Sequence, residues 1–105
     1  MATIATNTNL PEILQNNKHV VVDFWATWCG PCRTLSSVLE EVEAEFADKV
    51  TFVKCNVDEA DSLAEQYSIR SIPTLIFFKD GQGMDRSVGA MSKKELVSKI
   101  KSLLD

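Results

Sequence analysis

Basic clusters are missing from this sequence: 11 Lys and Arg stand against 15 Asp and Glu, a formal net charge of −4. With no Lys/Arg run, that balance excludes a general nucleic-acid binder. No apolar run is long enough to cross a bilayer, so no membrane span is expected. Met1 to Asn7 carries no basic segment leading into an apolar stretch, and Ser102 to Asp105 carries no retention or lipidation signal. The expectation is a cytoplasmic protein. Histidine is nearly absent, with His19 alone, and the cysteines are three: Cys29, Cys32 and Cys55. An odd cysteine count without an export signal points away from a disulfide framework and toward metal or redox use.

What is present is ordinary globular material. Hydrophobic residues make up 45% and charged residues 25% of 105 residues, enough for one core, so residues 1–105 are read as a single domain. There is no internal repeat, low-complexity segment or linker. Ala2 to Ala5 suits a short edge strand. Leu10, Ile13 and Leu14 have helical spacing, with Pro11 fit for a first turn and Asn16-Asn17 ending it. His19 opens the run Val20 to Ala26, apolar at almost every position, as in a central strand covered on both faces.

Leu35, Val38, Leu39, Val42 and Phe46 form an apolar helical stripe with acids on the far side. Val50 to Val57 alternates as a strand, and Leu63, Ala64 and Tyr67 make a shorter helix with Asp58 as its cap. Ile72 to Phe78 is a further apolar strand, turning through Asp80 to Gly83 into Met84 to Val88. Ser92-Lys93-Lys94-Glu95 is a capping box for a last amphipathic helix. Early alternation implies parallel crossovers and the late hairpin implies antiparallel strands. The predicted fold is a three-layer α/β domain with a mixed sheet.

The chemistry gathers in Trp28-Cys29-Gly30-Pro31-Cys32, where the central strand gives way to the long helix. Open α/β sheets place their sites at such strand ends. A cysteine at a helix N-terminus meets unpaired N–H groups and the positive end of the macrodipole, both of which favour thiolate. Cys29 is therefore expected at the cap, exposed and activated, and Cys32 one turn further on the same face. Pro31 suits the first turn, where its missing N–H costs nothing.

Zinc is the rival use for such a pair, and it needs four ligands. His19 stands seven strand steps before Ala26, roughly 20 Å away at ~3.3 Å per residue, too far to contribute. Cys55, alternating with Val53 and Val57, reads as a small buried hydrophobe. Iron–sulfur ligation wants four cysteines. A dithiol/disulfide switch fits best.

Asp23 contradicts its apolar strand. A buried, unpaired charge costs several kcal/mol, so its pKa should be raised by desolvation, which suits a general acid/base near the thiols. The alternative is a carboxylate hydrogen-bonded to a neighbouring loop. Lys54 would lie beside Asp23 if its strand pairs with residues 20–26; otherwise it is a surface lysine with its stem laid along the protein. Trp25 reads as core. Trp28 sits in a turn and suits an exposed contact role.

Trp28-Cys29-Gly30-Pro31-Cys32 resembles the active site of the thioredoxin family. The resemblance covers essentially the whole chain: Asp23 to Ala26, Lys54, Ile72-Pro73-Thr74, Phe77 to Gly81 and Val88-Gly89-Ala90 all have family counterparts. It implies five strands with four helices, and a cis peptide at Ile72-Pro73 facing the thiols. It also implies an apolar substrate groove made by Trp28, Gly30, Pro31, Ile72, Pro73 and Gly89, where a target peptide pairs with backbone at Ile72.

By the same resemblance, Cys29 attacks a target disulfide, Cys32 resolves the mixed disulfide, Asp23 takes a proton from Cys32, and Lys54 tunes Asp23. Gly30-Pro31 offers no histidine between the thiols, which favours a reductant over an oxidase or isomerase. No bound cofactor or metal is implied, only a redox-active Cys29–Cys32 disulfide; NADPH and flavin enter indirectly, through a thioredoxin reductase. Other implied partners are oxidised target proteins such as peroxiredoxins, with the chain a monomer. Ser37 stands where the family usually has a helix-kinking proline, so no strong kink is expected. Two other functions compete with a reductase: a non-enzymatic clamp on a larger enzyme, and a small metal-binding domain.

Overall fold

The computed structural model describes residues 2–105. Its elements follow in the order β1 (Thr3–Ile4), α1 (Leu10–Asn16), β2 (His19–Trp25), α2 (Gly30–Phe46), β3 (Thr51–Asn56), α3 (Asp61–Gln66), β4 (Thr74–Lys79), β5 (Gln82–Val88) and α4 (Lys93–Leu104). The sheet runs β1-β3-β2-β4-β5, with β1–β3 and β2–β3 parallel and β2–β4 and β4–β5 antiparallel. This is the mixed five-stranded sheet with four helices that the sequence predicts.

β2 is central and covered on both faces, which explains its nearly unbroken apolar run. Val20, Val22 and Phe24 pack into one core with Leu10, Leu14 and Leu63 from α1 and α3. Val21 faces the other core, with Leu35, Leu39 and Val42 of α2 and Leu96, Ile100 and Leu103 of α4. Strand alternation puts Asp23 on the α2 side with Val21. α2 runs unbroken through the exposed Ser37.

Two local expectations need correction. The cap of α3 is not Asp58: the helix starts after Ala60, which makes no side-chain cap bond. Its Leu63 N–H donates instead to Asn7 Oδ1 at 3.1 Å, a capping partner 56 positions earlier in the chain. The second hairpin strand begins at Gln82 rather than Met84, because the turn is only Asp80-Gly81, with φ of 52° and 80°. Two positive φ angles are what a two-residue hairpin matched to strand twist requires. A bulge at Phe77/Phe78 then takes up Met84 as the extra residue.

Candidate functional site

Cys29 is the N-cap of α2, in extended backbone, and its Sγ accepts the Cys32 N–H at 3.2 Å. Pro31 occupies the first turn, as its spacing predicts. Cys29 and Cys32 are joined as a disulfide. Cys29 is not exposed as expected: it is 5% accessible, and Cys32 2%. Both sulfurs pack with Ala26 against Trp25, Val57 and Ile72. The loop before β4 supplies the cover, with Ile72 O lying 3.8 Å from Cys29 Sγ.

That loop contains a cis Ile72-Pro73 peptide. Gly89 N–H donates to Pro73 O at 2.8 Å, and Gly89 has φ of 92°, a backbone state favouring glycine. Thr74 Oγ1 donates to Ser71 O at 2.6 Å and closes the loop. Ile72, Pro73 and Gly89 are thereby assembled beside the cysteines. Trp28 is 67% exposed, and its indole Nε1–H donates to Asp58 Oδ2 at 2.8 Å. Arg33 Nη1 donates to Thr27 O at 2.8 Å, bracing the turn before the cysteines. Gly30 and Pro31 are exposed between the two thiols.

Beneath this surface, Asp23 is 2% accessible and neither of its carboxylate oxygens has a hydrogen-bond partner among the described residues. The loop-bonded alternative therefore does not apply. β2–β3 register sets Asp23 directly opposite Lys54, whose Nζ lies 3.9 Å from Asp23 Oδ2. Burial pushes the Asp23 carboxyl up to about 6, and the Lys54 charge only partly offsets this. Lys54 is partly exposed: its stem reaches along the sheet, its Nζ donates to Ser36 Oγ at 3.1 Å, and it lies 4.8 Å from the Trp25 ring centroid. A cavity of about 220 Å³ opens here, lined by Val21, Asp23, Ser36, Leu39, Phe52 and Lys54 among others.

Cys55 lies on the opposite sheet face, fully buried among apolar residues. Burial first, and the Asp23 charge second, push its thiol up to about 11, leaving it protonated and unreactive near neutral pH. His19 begins β2, at the end away from the cysteines. Among the described residues, no three His, Cys, Asp or Glu side chains are grouped to hold a metal ion. No helix among them is long and apolar enough to cross a membrane.

The sequence reading overlooked Asp58, Arg33, Thr74 and Ser36 as parts of the site. Only Ser36 carried a usable local signal, being four residues after Cys32 and so on the same helix face. Arg33 and Thr74 bond backbone carbonyls six and three residues before them, whereas Asp58 meets Trp28 from 30 positions away.

Comparison with known proteins agrees in sequence and in shape. The family model described as Thioredoxin matches residues 1–102. Thioredoxin 1 of Synechococcus elongatus is 48% identical over 97 residues, covering 92% of this chain and 91% of that protein. Thioredoxin of Mycoplasmoides gallisepticum is 46% identical over 101 residues, covering 96% and 100%. A solved structure concerned with thiol resolving in yeast mitochondrial 1-Cys peroxiredoxin via glutathione/thioredoxin systems superposes with a TM-score of 0.88. It is 35% identical and covers 96% of this chain and 94% of its own. A family model matching residues 1–102, curated relatives matched along nearly their whole length and a solved structure of the same fold make this chain, with its Cys29–Cys32 pair, a member of the thioredoxin family, disulfide oxidoreductases that work by dithiol/disulfide exchange.

Proposed function

We propose that the chain is a general protein-disulfide reductase, with Cys29 as nucleophile and Cys32 as resolving thiol. The observation that carries this is the Cys32 N–H aimed at Cys29 Sγ across the first turn of α2. A donor fixed there stabilises negative charge on Cys29, and the helix N-terminus adds to it.

In the first step the Cys29 thiolate attacks one sulfur of a target disulfide. A Cys29–target disulfide forms, the target S–S bond breaks, and one target thiolate leaves. In the second step Cys32 gives its proton to Asp23, through a water, and attacks Cys29 Sγ. The Cys29–Cys32 bond forms and the second target thiolate leaves. The target thiolates are protonated and the target has gained two electrons. Asp23 suits the task because burial brings its acidity near neutrality, and the adjacent Lys54 ammonium tunes it. Trp28, Gly30, Pro31, Ile72, Pro73 and Gly89 form the surface that receives an extended target segment, pairing with backbone at Ile72.

The family is in general returned to the dithiol state by a reductase. Here that partner is a flavin-dependent thioredoxin reductase drawing on NADPH, so the chain itself binds neither group. Peroxiredoxins are among the proposed targets, a reading supported by the peroxiredoxin named for the similar solved structure. The proposed setting is the cytoplasm, with residues 1–105 acting as one domain and as a monomer.

The test is reduction of insulin disulfides with dithiothreitol in excess, comparing the native chain with Cys29→Ser. Strong acceleration by the native chain, lost in the variant, is expected. A folded native chain that gives no acceleration contradicts the proposal.

A further inference from the structure

Among the described residues Lys54 is the cation paired with Asp23, yet its ammonium is not in hydrogen-bonding contact with the carboxylate. The Nζ–Oδ2 distance is 3.9 Å, while Nζ donates to Ser36 Oγ at 3.1 Å. Ser36 lies on α2, in the wall of the same cavity that Asp23 lines from β2 and Lys54 from β3. The ammonium is thus held between a hydroxyl on the helix, the Trp25 ring at 4.8 Å and a carboxylate that has no hydrogen bond among the described residues.

We infer that Ser36 is a positioning residue for the exchange reaction: by engaging the Lys54 ammonium it keeps that charge from closing onto Asp23, so that Asp23 remains a proton acceptor matched to Cys32. The inference rests on the role proposed above for Asp23. Its physical basis is competition for one donor group. An ammonium carries three N–H donors and a carboxylate accepts at several lone pairs, so nothing intrinsic prevents a direct Lys54–Asp23 bond. Direct contact in this buried site would stabilise the carboxylate and weaken it as a base. A separation of 3.9 Å retains part of the attraction without that bond.

The other groups that face Asp23 come from three elements. Glu40 and Glu43 of α2 line the cavity and are acidic, Cys55 of β3 lies across the sheet, and β4 opposes Asp23 with Leu75. Cys29 and Cys32 carry no proton while bonded to each other.

The experiment follows the Asp23 carboxyl directly, by the pH dependence of its side-chain ¹³C resonance in the oxidised protein. It compares the native chain with Ser36→Ala, Ser36→Thr, Lys54→Met and the Ser36→Ala/Lys54→Met pair. With Ser36→Ala the Asp23 midpoint should fall by roughly half to one pH unit, as expected when a unit charge closes to contact at an effective dielectric of about 20. Ser36→Thr keeps the hydroxyl and should hold the native midpoint. In the Lys54→Met background Ser36→Ala should have no further effect, since there is no ammonium left to position.

A midpoint that is unchanged or raised by Ser36→Ala, or one that falls equally without Lys54, overturns the inference. Because the readout needs no turnover, it stands apart from the insulin assay. Loss of insulin reduction by the native chain would count against the proposed activity, whatever Ser36 does to Asp23.

Discussion

Charge on a carboxyl group with neither oxygen hydrogen-bonded weakens the fold that buries it, and among the described residues Asp23 is such a group. Its folded pKa, about 6, lies above the ordinary value of 3.8. Below the lower value it is protonated in both the folded and unfolded chain and costs nothing. As pH rises from there toward the folded value, the unfolded chain releases its proton first, so stability falls; above the folded value the deficit is constant. A difference of roughly two pH units corresponds to about 3 kcal/mol. Asp23→Asn removes the titration, so its stability relative to the native chain should improve by most of that amount, about 2 kcal/mol, between pH 4 and pH 8. Urea unfolding of both oxidised proteins at the two pH values checks this, and a relative stability that does not change with pH contradicts it. That Asp23 is buried was legible from its apolar neighbours. Lys54 was legible as its cation on the condition that its strand pairs with residues 20–26, and the register of β2 against β3 meets that condition.

At the scale of elements, the sequence was most readable where contacts are short in sequence. The α4 capping box is an example: Glu95 N–H donates to Ser92 Oγ at 3.1 Å, and Ser92 N–H to Glu95 Oε1 at 3.2 Å. All its partners lie within four residues, so the pattern alone disclosed it. α3 shows the opposite case. Asp58 has the right residue type for a cap, but its carboxylate is engaged by Trp28, and Asn7 reaches the helix from 56 positions away. Ser92→Ala and Asn7→Ala should each lower stability by about 1 kcal/mol, the usual worth of a capping side chain. Asp58→Ala should cost clearly less, since it caps nothing. Denaturant midpoints for the three variants decide the ranking, and a larger loss for Asp58→Ala than for Asn7→Ala would reverse this assignment.

Across the whole molecule, the strand order brings the pieces of the site together from separate parts of the chain. β2 carries Asp23 and leads into Cys29; the parallel neighbour β3 brings Lys54; the antiparallel neighbour β4 carries in the Ile72-Pro73 loop; β5 leads into Gly89. The element order and the cysteine junction were readable because periodicity and local turn chemistry disclose them. The burial of Cys29 was not, because its cover comes from Ile72, 43 residues later.

The central claim is the division of labour between the two cysteines, and trapping tests it most directly. Cys32→Ser and Cys29→Ser, both reduced, are incubated with a protein disulfide target, and the mixed disulfides are located by mass spectrometry. Cys32→Ser should accumulate a stable adduct bonded at Cys29, while Cys29→Ser should yield little adduct at either Cys32 or Cys55. An adduct that forms chiefly at Cys32 or Cys55, or a Cys32→Ser protein that traps nothing, would contradict the account.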